Sequence, residues 1–191
     1  MKRIFITIIT AAAALTMSAQ TFNEWKDPKV NAVNRAEMHS DCISFEGTDN
    51  YLSIHGKWKF NWVEDADLRP ANFWTTDYDD KDWGVMPVPG VWELNGYGDP
   101  IYVNIGYAWR NQYESNPPYV PIKGNHVGTY RKGFTLPASW KGKDVFIRFG
   151  SVTSNIYLYV NGRFVGYSED SKLETEFDIT KFIKPGQENL I

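Results

Sequence analysis

Carboxylates are the first candidates for chemistry in this chain. Glu169 and Asp170 are followed closely by Glu174, Glu176 and Asp178, and a retaining glycosidase needs two carboxyls about 5 Å apart, one held protonated by an apolar setting. Acids strung along a loop after a hairpin read more simply as a solvated rim and as turn and cap residues. A second acidic group, Asp77 to Asp82, lacks the Asp-x-Asp-x-Asp-Gly spacing and the distal glutamate of a calcium loop, and reads as a solvated loop. His39, His55 and His126 are scattered without the short pairings of a metal site, and the single cysteine, Cys42, adds no cluster. No Gly-x-Ser-x-Gly elbow is present, and Gly96-x-Gly98 is not followed by a helical pattern, which removes nucleophilic acyl transfer and nucleotide chemistry. There remains the stretch GYGDPIYVNIGY at 96–107, where Asn104 stands among glycines, tyrosines and Pro100. Its amide can donate and accept a hydrogen bond. By residue type it reads first as a turn cap, and second as a group that could orient a hydroxyl.

The elements that must position these side chains are strands. Trp58, Phe60 and Trp62 alternate with Lys57, Lys59 and Asn61, the pattern of a half-buried strand. Residues 128–136 alternate in the same way, and 144–149 form a short apolar strand. Residues 155–160 and 163–167 flank Asn161-Gly162, a hairpin signal of type I′, because that turn needs positive φ at both central positions. Met86 to Gly90 carries too much proline for the interior of a sheet, and 116–121 suggests polyproline II. Apart from a possible turn at 178–183, no segment keeps a helical period. The expected class is all-β, a jelly-roll β-sandwich, preceded by an extended, polar arm over 21–50.

Three features bound the whole. Lys2 and Arg3, the apolar run from Ile4 to Met17, and Ser18-Ala19-Gln20 have the organisation of a secretory signal peptide over 1–20, too short to span a bilayer. Export is therefore expected, to a periplasmic or extracellular location. One thiol cannot form an internal disulfide there, and Cys42 reads as a small buried hydrophobe. The net charge is −3, without a lysine or arginine cluster, which argues against nucleic acid and, once the signal is cleaved, against a membrane as partner. Eight tryptophans and eleven tyrosines suit a surface that meets an amphipathic partner such as a sugar. At the other end, 184–191 reads as a turn and the opening of a further strand, so the last strand of the 51–191 domain is expected to be incomplete.

Several motifs in order then resemble one family. Pro100-Ile-Tyr-Val-Asn-Ile105, Asn116-Pro-Pro-Tyr-Val-Pro121, Val127-Gly-Thr-Tyr-Arg131 and the run from Asn161 to Ser171 leading to Glu176-Phe-Asp-Ile179 are similar to the N-terminal sugar-binding domain of the large β-galactosidases of glycoside hydrolase family 2. The resemblance is collinear from about Trp25 to Ile191. It implies a jelly-roll domain that precedes immunoglobulin-like domains and a catalytic barrel, both of which would be its partners in the parent enzyme, with a β-galactoside as the substrate. The catalytic glutamates of that family lie on the barrel, so no catalytic role is expected for Glu93, Glu114, Glu169 or any other glutamate here. The chain alone is expected to be inactive. No cofactor is expected in this chain; the Mg and Na ions often used by the full-length family are bound mainly outside this region.

The resemblance places one sugar contact within the chain. The matching asparagine is Asn104, on a loop that in the family reaches the barrel and hydrogen-bonds a galactose hydroxyl. Val103 and Ala108 stand where the family commonly has threonine and proline, and the family's second contact, an aspartate, would fall beyond Ile191. Two rival readings are a free-standing carbohydrate-binding module, stacking Tyr102, Trp109 and Tyr119 on sugar rings, and a non-catalytic domain that packs on another protein.

Overall fold

The computed structural model describes residues 21–40, 45–100 and 118–191. Ten strands run through them: β1 (Ala32–Val33), β2 (Gly56–Val63), β3 (Gly84–Val88), β4 (Val127–Arg131), β5 (Gly133–Thr135), β6 (Phe146–Phe149), β7 (Asn155–Val160), β8 (Arg163–Glu169), β9 (Thr175–Asp178) and β10 (Glu188–Leu190). They pair antiparallel in the orders β1-β8-β7, β3-β2-β4, β10-β5 and β6-β9. Only short 3-10 turns interrupt them. The all-β sandwich expected from the alternating patterns is the fold observed.

One core joins three of the four sheets. Phe134 of β5, Ile147 of β6, Leu158 and Val160 of β7, Val165 of β8 and Phe177 of β9 meet Leu136, Trp140 and Ile179. Burying such side chains supplies the main driving force of folding, about 1.5–3 kcal/mol each. The β7–β8 hairpin turns at Asn161 and Gly162, with φ of 52° and 79°, and closes on the pair Val160 and Arg163. Positive φ at both residues is what the Asn-Gly pair was expected to supply. A register shift between Leu158 and Tyr159 is a bulge that adds one residue to β8.

Buried polar groups tie the hairpin to β10. Asn189 is 1% exposed; its Oδ1 accepts from Asn161 Nδ2 (2.8 Å) and Lys184 N (2.7 Å), and its Nδ2 donates to the carbonyls of Lys184 (3.1 Å) and Gln187 (2.9 Å). Asn161 Nδ2 also donates to the Phe182 carbonyl, and its Oδ1 accepts from Leu190 N. Lys132 and Ile191 exchange backbone hydrogen bonds at 2.9 and 3.0 Å, which continues the β5–β10 ladder toward β4.

Of the extended arm expected over 21–50, residues 21–40 lie against the strands of the sandwich. β1 pairs with the edge of β8, Asn34 Nδ2 donates to the Val165 carbonyl, and Ala36 N donates to Glu176 O. Phe22 is buried, with ring centroids 5.0 Å from Tyr157, 5.7 Å from Trp74, 6.0 Å from Phe73 and 6.3 Å from Tyr159. The Arg69 guanidinium lies 4.2 Å from the Phe22 ring centre, a cation–π contact. Residues 1–20, expected to be a signal peptide, and Cys42 lie outside the described residues.

Candidate functional site

Asn104, Tyr102 and Trp109 fall within 101–117, outside the described residues. Their setting is defined by the chain on either side of that segment and by the β2–β4 sheet from which it departs. The approach is built on aromatic packing. Phe60, 1% exposed on β2, meets Tyr97 edge-on at 4.7 Å, Tyr130 at 4.6 Å and Trp92 at 6.1 Å. Trp92 Nε1 donates to the Tyr130 hydroxyl at 2.6 Å, and burial pushes the Tyr130 phenol above its usual range. Gly128 makes room for this arrangement: a Cβ there would come within 2.5 Å of Trp92 Cζ2 and 2.7 Å of Phe60 Cε2.

The return path, 118–126, is held by charge and by one ring contact. Lys123 Nζ lies 2.9 Å from Asp67 Oδ2 and 3.6 Å from Asp65 Oδ1, while Asp65 Oδ2 accepts from Gly124 N at 3.4 Å. The Asp67 carboxyl is held low by Lys123, and Asp65 is held low first by the backbone N–H of Asp67 and then by Gly124 and Lys123. Beside this clamp the His126 ring meets Trp62 at 4.9 Å, and Gly98 approaches both. Glu64, Asp65, Asp67, Leu68, Lys123 and His126 line a cleft of about 410 Å³. The described residues on either side of 101–117, Tyr97 and Gly98 before it and His126 after it, thus pack on Phe60 and Trp62 of β2.

Each acid after the hairpin already has a partner. Glu169 accepts from the Tyr167 hydroxyl, Glu174 pairs with Arg148, and Glu176 lies 3.8 Å from Arg148 Nε. Asp178 accepts from Thr180 N at 2.9 Å, and hydrogen bonds from Thr180 hold its carboxyl low. Asp170, Glu174 and Asp178 are exposed, with Asp170 accepting from Lys172 N at 3.4 Å, whereas Glu169 and Glu176 are half-buried. Glu93 sits in an exposed 3-10 turn, and Glu114 lies outside the described residues. The histidines stay apart: His55 is exposed, and His39 is 4.0 Å from Glu176. Among the described residues, no group of three or more His, Cys, Asp or Glu could hold a metal ion, and no helix is long and apolar enough to cross a membrane.

Two features were not anticipated. The acidic loop is only partly solvated: Arg131, 5% exposed, pairs through Nε with Asp80 Oδ2 at 2.8 Å and donates through Nη1 to the carbonyls of Phe73 and Thr75. This buried guanidinium ties 73–80 to β4. The other is that Met86-Pro-Val, expected only to stay out of a sheet interior, forms a strand, and it does so at the edge of its sheet in β3, where a missing N–H costs no ladder bond. An arginine in an alternating run gives no local sign that a distant carboxylate and two carbonyls will surround it.

Sequence comparison adds to this geometry. The profile of the family described as "Glycosyl hydrolases family 2, sugar binding domain" matches residues 51–191. The chain belongs to this family. This glycosyl hydrolase family 2 sugar-binding domain is 35% identical to a β-galactosidase of Priestia megaterium over 92% of the chain, and 38% identical to that of Streptococcus thermophilus over 92% of the chain; it spans 18% of the length of each. The β-galactosidase of Lactobacillus delbrueckii subsp. bulgaricus is 39% identical over 83% of the chain and 16% of its own length. Among solved structures, the apo β-glucuronidase of Ruminococcus gnavus superposes with a TM-score of 0.51 and 25% identity, over 73% of this chain and 20% of that one. The domain therefore corresponds to at most a fifth of each of these relatives. The aromatic seat of Phe60, Tyr97, Trp92 and Tyr130 and the Asp65–Lys123–Asp67 clamp lie inside the matched region.

Proposed function

We propose that this chain is the N-terminal sugar-binding domain of an exported β-galactosidase that hydrolyses terminal β-D-galactosyl residues, and that it contributes Asn104 to the substrate site while the catalytic glutamates belong to a barrel outside the chain. The observation that carries the reading is identity of 35–39% to proteins named β-galactosidase over 83–92% of the chain. It favours galactosides over the glucuronides suggested by the more distant structural neighbours. The signal-like segment 1–20 supports export to the periplasm or the cell exterior. The Asn104 amide would fix one sugar hydroxyl by accepting and donating, and the barrel would perform hydrolysis with retention through a glycosyl-enzyme intermediate.

The coding DNA downstream of Ile191 tests the assignment. An in-frame continuation encoding a barrel is expected, and in that full-length enzyme Asn104→Ala is expected to lower kcat/KM by roughly tenfold, the worth of one hydrogen bond. The isolated chain should not cleave a chromogenic β-galactoside; turnover abolished by replacing one of its own acids would overturn the proposal. The reading as a free-standing carbohydrate module draws on the exposed ring of Tyr119. Millimolar or tighter binding of galactose or lactose by the isolated chain, measured by calorimetry, would favour it.

A further inference from the structure

The chain contains two Asn-Gly pairs, Asn95-Gly96 and Asn161-Gly162, and the structure holds them very differently. Asparagine before glycine is chemically labile because the glycine nitrogen is unhindered. Asn161 is restrained on every side: Nδ2 donates to the Phe182 carbonyl and to Asn189 Oδ1, Oδ1 accepts from Leu190 N, and its own backbone N–H donates to Leu190 O. Asn95 closes an exposed 3-10 turn, Glu93–Asn95. Its side chain makes one bond, from Nδ2 to the Val91 carbonyl at 2.8 Å, and Gly96 N is held only by a 3.5 Å contact to Glu93 O.

We propose that Asn95 is a modification site, converting spontaneously to aspartate and isoaspartate, while Asn161 in the same molecule is protected by its fold. The deprotonated backbone nitrogen of Gly96 attacks Asn95 Cγ; a new N–C bond forms, the Cγ–Nδ2 bond breaks, and ammonia leaves. Water then opens the five-membered imide at either carbonyl, so that the net reaction consumes one water and releases one ammonia. The isoaspartate product carries an extra methylene in the main chain and a new negative charge. That change falls two residues before Tyr97, whose N–H donates to the Trp92 carbonyl and whose ring packs on Phe60. The modification therefore alters the approach to 101–117.

Each hydrogen bond that must break before attack slows conversion by roughly tenfold, and the Asn161 side chain holds three against one for Asn95. Native protein incubated at mildly alkaline pH in heavy-oxygen water, then digested and mapped by mass spectrometry, should incorporate label at residue 95 at least about tenfold faster than at residue 161. In denaturant the two sites should label at comparable rates, because both precede glycine. Asn95→Gln should remove the fast-labelling site. Equal native rates at the two positions, faster labelling at 161, or label confined to the denatured protein would each overturn the proposal.

Discussion

Replacing Tyr159 by phenylalanine should stabilise this domain. Tyr159 is 8% exposed, its ring stacks on Trp74 at 5.4 Å and 18° and meets Phe73 edge-on at 5.6 Å, and its hydroxyl has no hydrogen-bond partner among the described residues. A buried hydroxyl without a partner costs about 1–3 kcal/mol, which Tyr159→Phe removes while keeping the ring contacts. For a chain of this size that is a rise in Tm of about 2–10 °C, measurable by calorimetry or circular dichroism. Tyr167→Phe is the control, since it forfeits the bond to Glu169 and should lower Tm. Burial raises the phenols of Tyr157, Tyr159 and Tyr167 above the ordinary tyrosine value. A group whose folded-state pKa is raised contributes stability that is present below its unfolded value and lost as pH climbs above it. Stability should therefore fall from about pH 10 upward, by about 1.4 kcal/mol per pH unit for each such tyrosine. Tyr159→Phe should reduce that slope by one tyrosine's share. An unchanged or lowered Tm at neutral pH, with an unchanged alkaline slope, would refute the reasoning.

Other contacts yield further expectations. Asn189→Ala leaves the Gln187 carbonyl and the Lys184 N–H without a partner and the Lys184 carbonyl with only the Gln187 N–H, and should cost at least about 3 kcal/mol in urea titrations. Arg131→Met strands Asp80 and the Phe73 carbonyl and takes one of two donors from the Thr75 carbonyl, and should cost about 3–5 kcal/mol; adding Asp80→Asn should recover part of the loss. Gly128→Ala forces a methyl against Trp92 and Phe60 and should destabilise by about 1–3 kcal/mol, with a change in tryptophan fluorescence.

The chain announced its strands and one turn through local chemistry. Alternation of Trp58, Phe60 and Trp62 marks β2 because neighbouring side chains in a strand face opposite ways, and Asn161-Gly162 marks the hairpin because few other pairs accept positive φ twice. The ordered motifs also sufficed for the family, which the match over 51–191 shows. Asn104, the one sugar contact inferred, came from resemblance; its own residue type favoured a turn cap. Only the tertiary structure decided that Phe22 enters a box of Phe73, Trp74, Tyr157 and Tyr159, that Arg131 reaches Asp80, and that Asn189 grips Asn161. Each joins residues far apart in the chain or depends on which buried atoms are left needing a partner. Propensity and periodicity are properties of a few consecutive residues, whereas the fate of a buried polar group depends on the strands and loops that the whole fold brings around it.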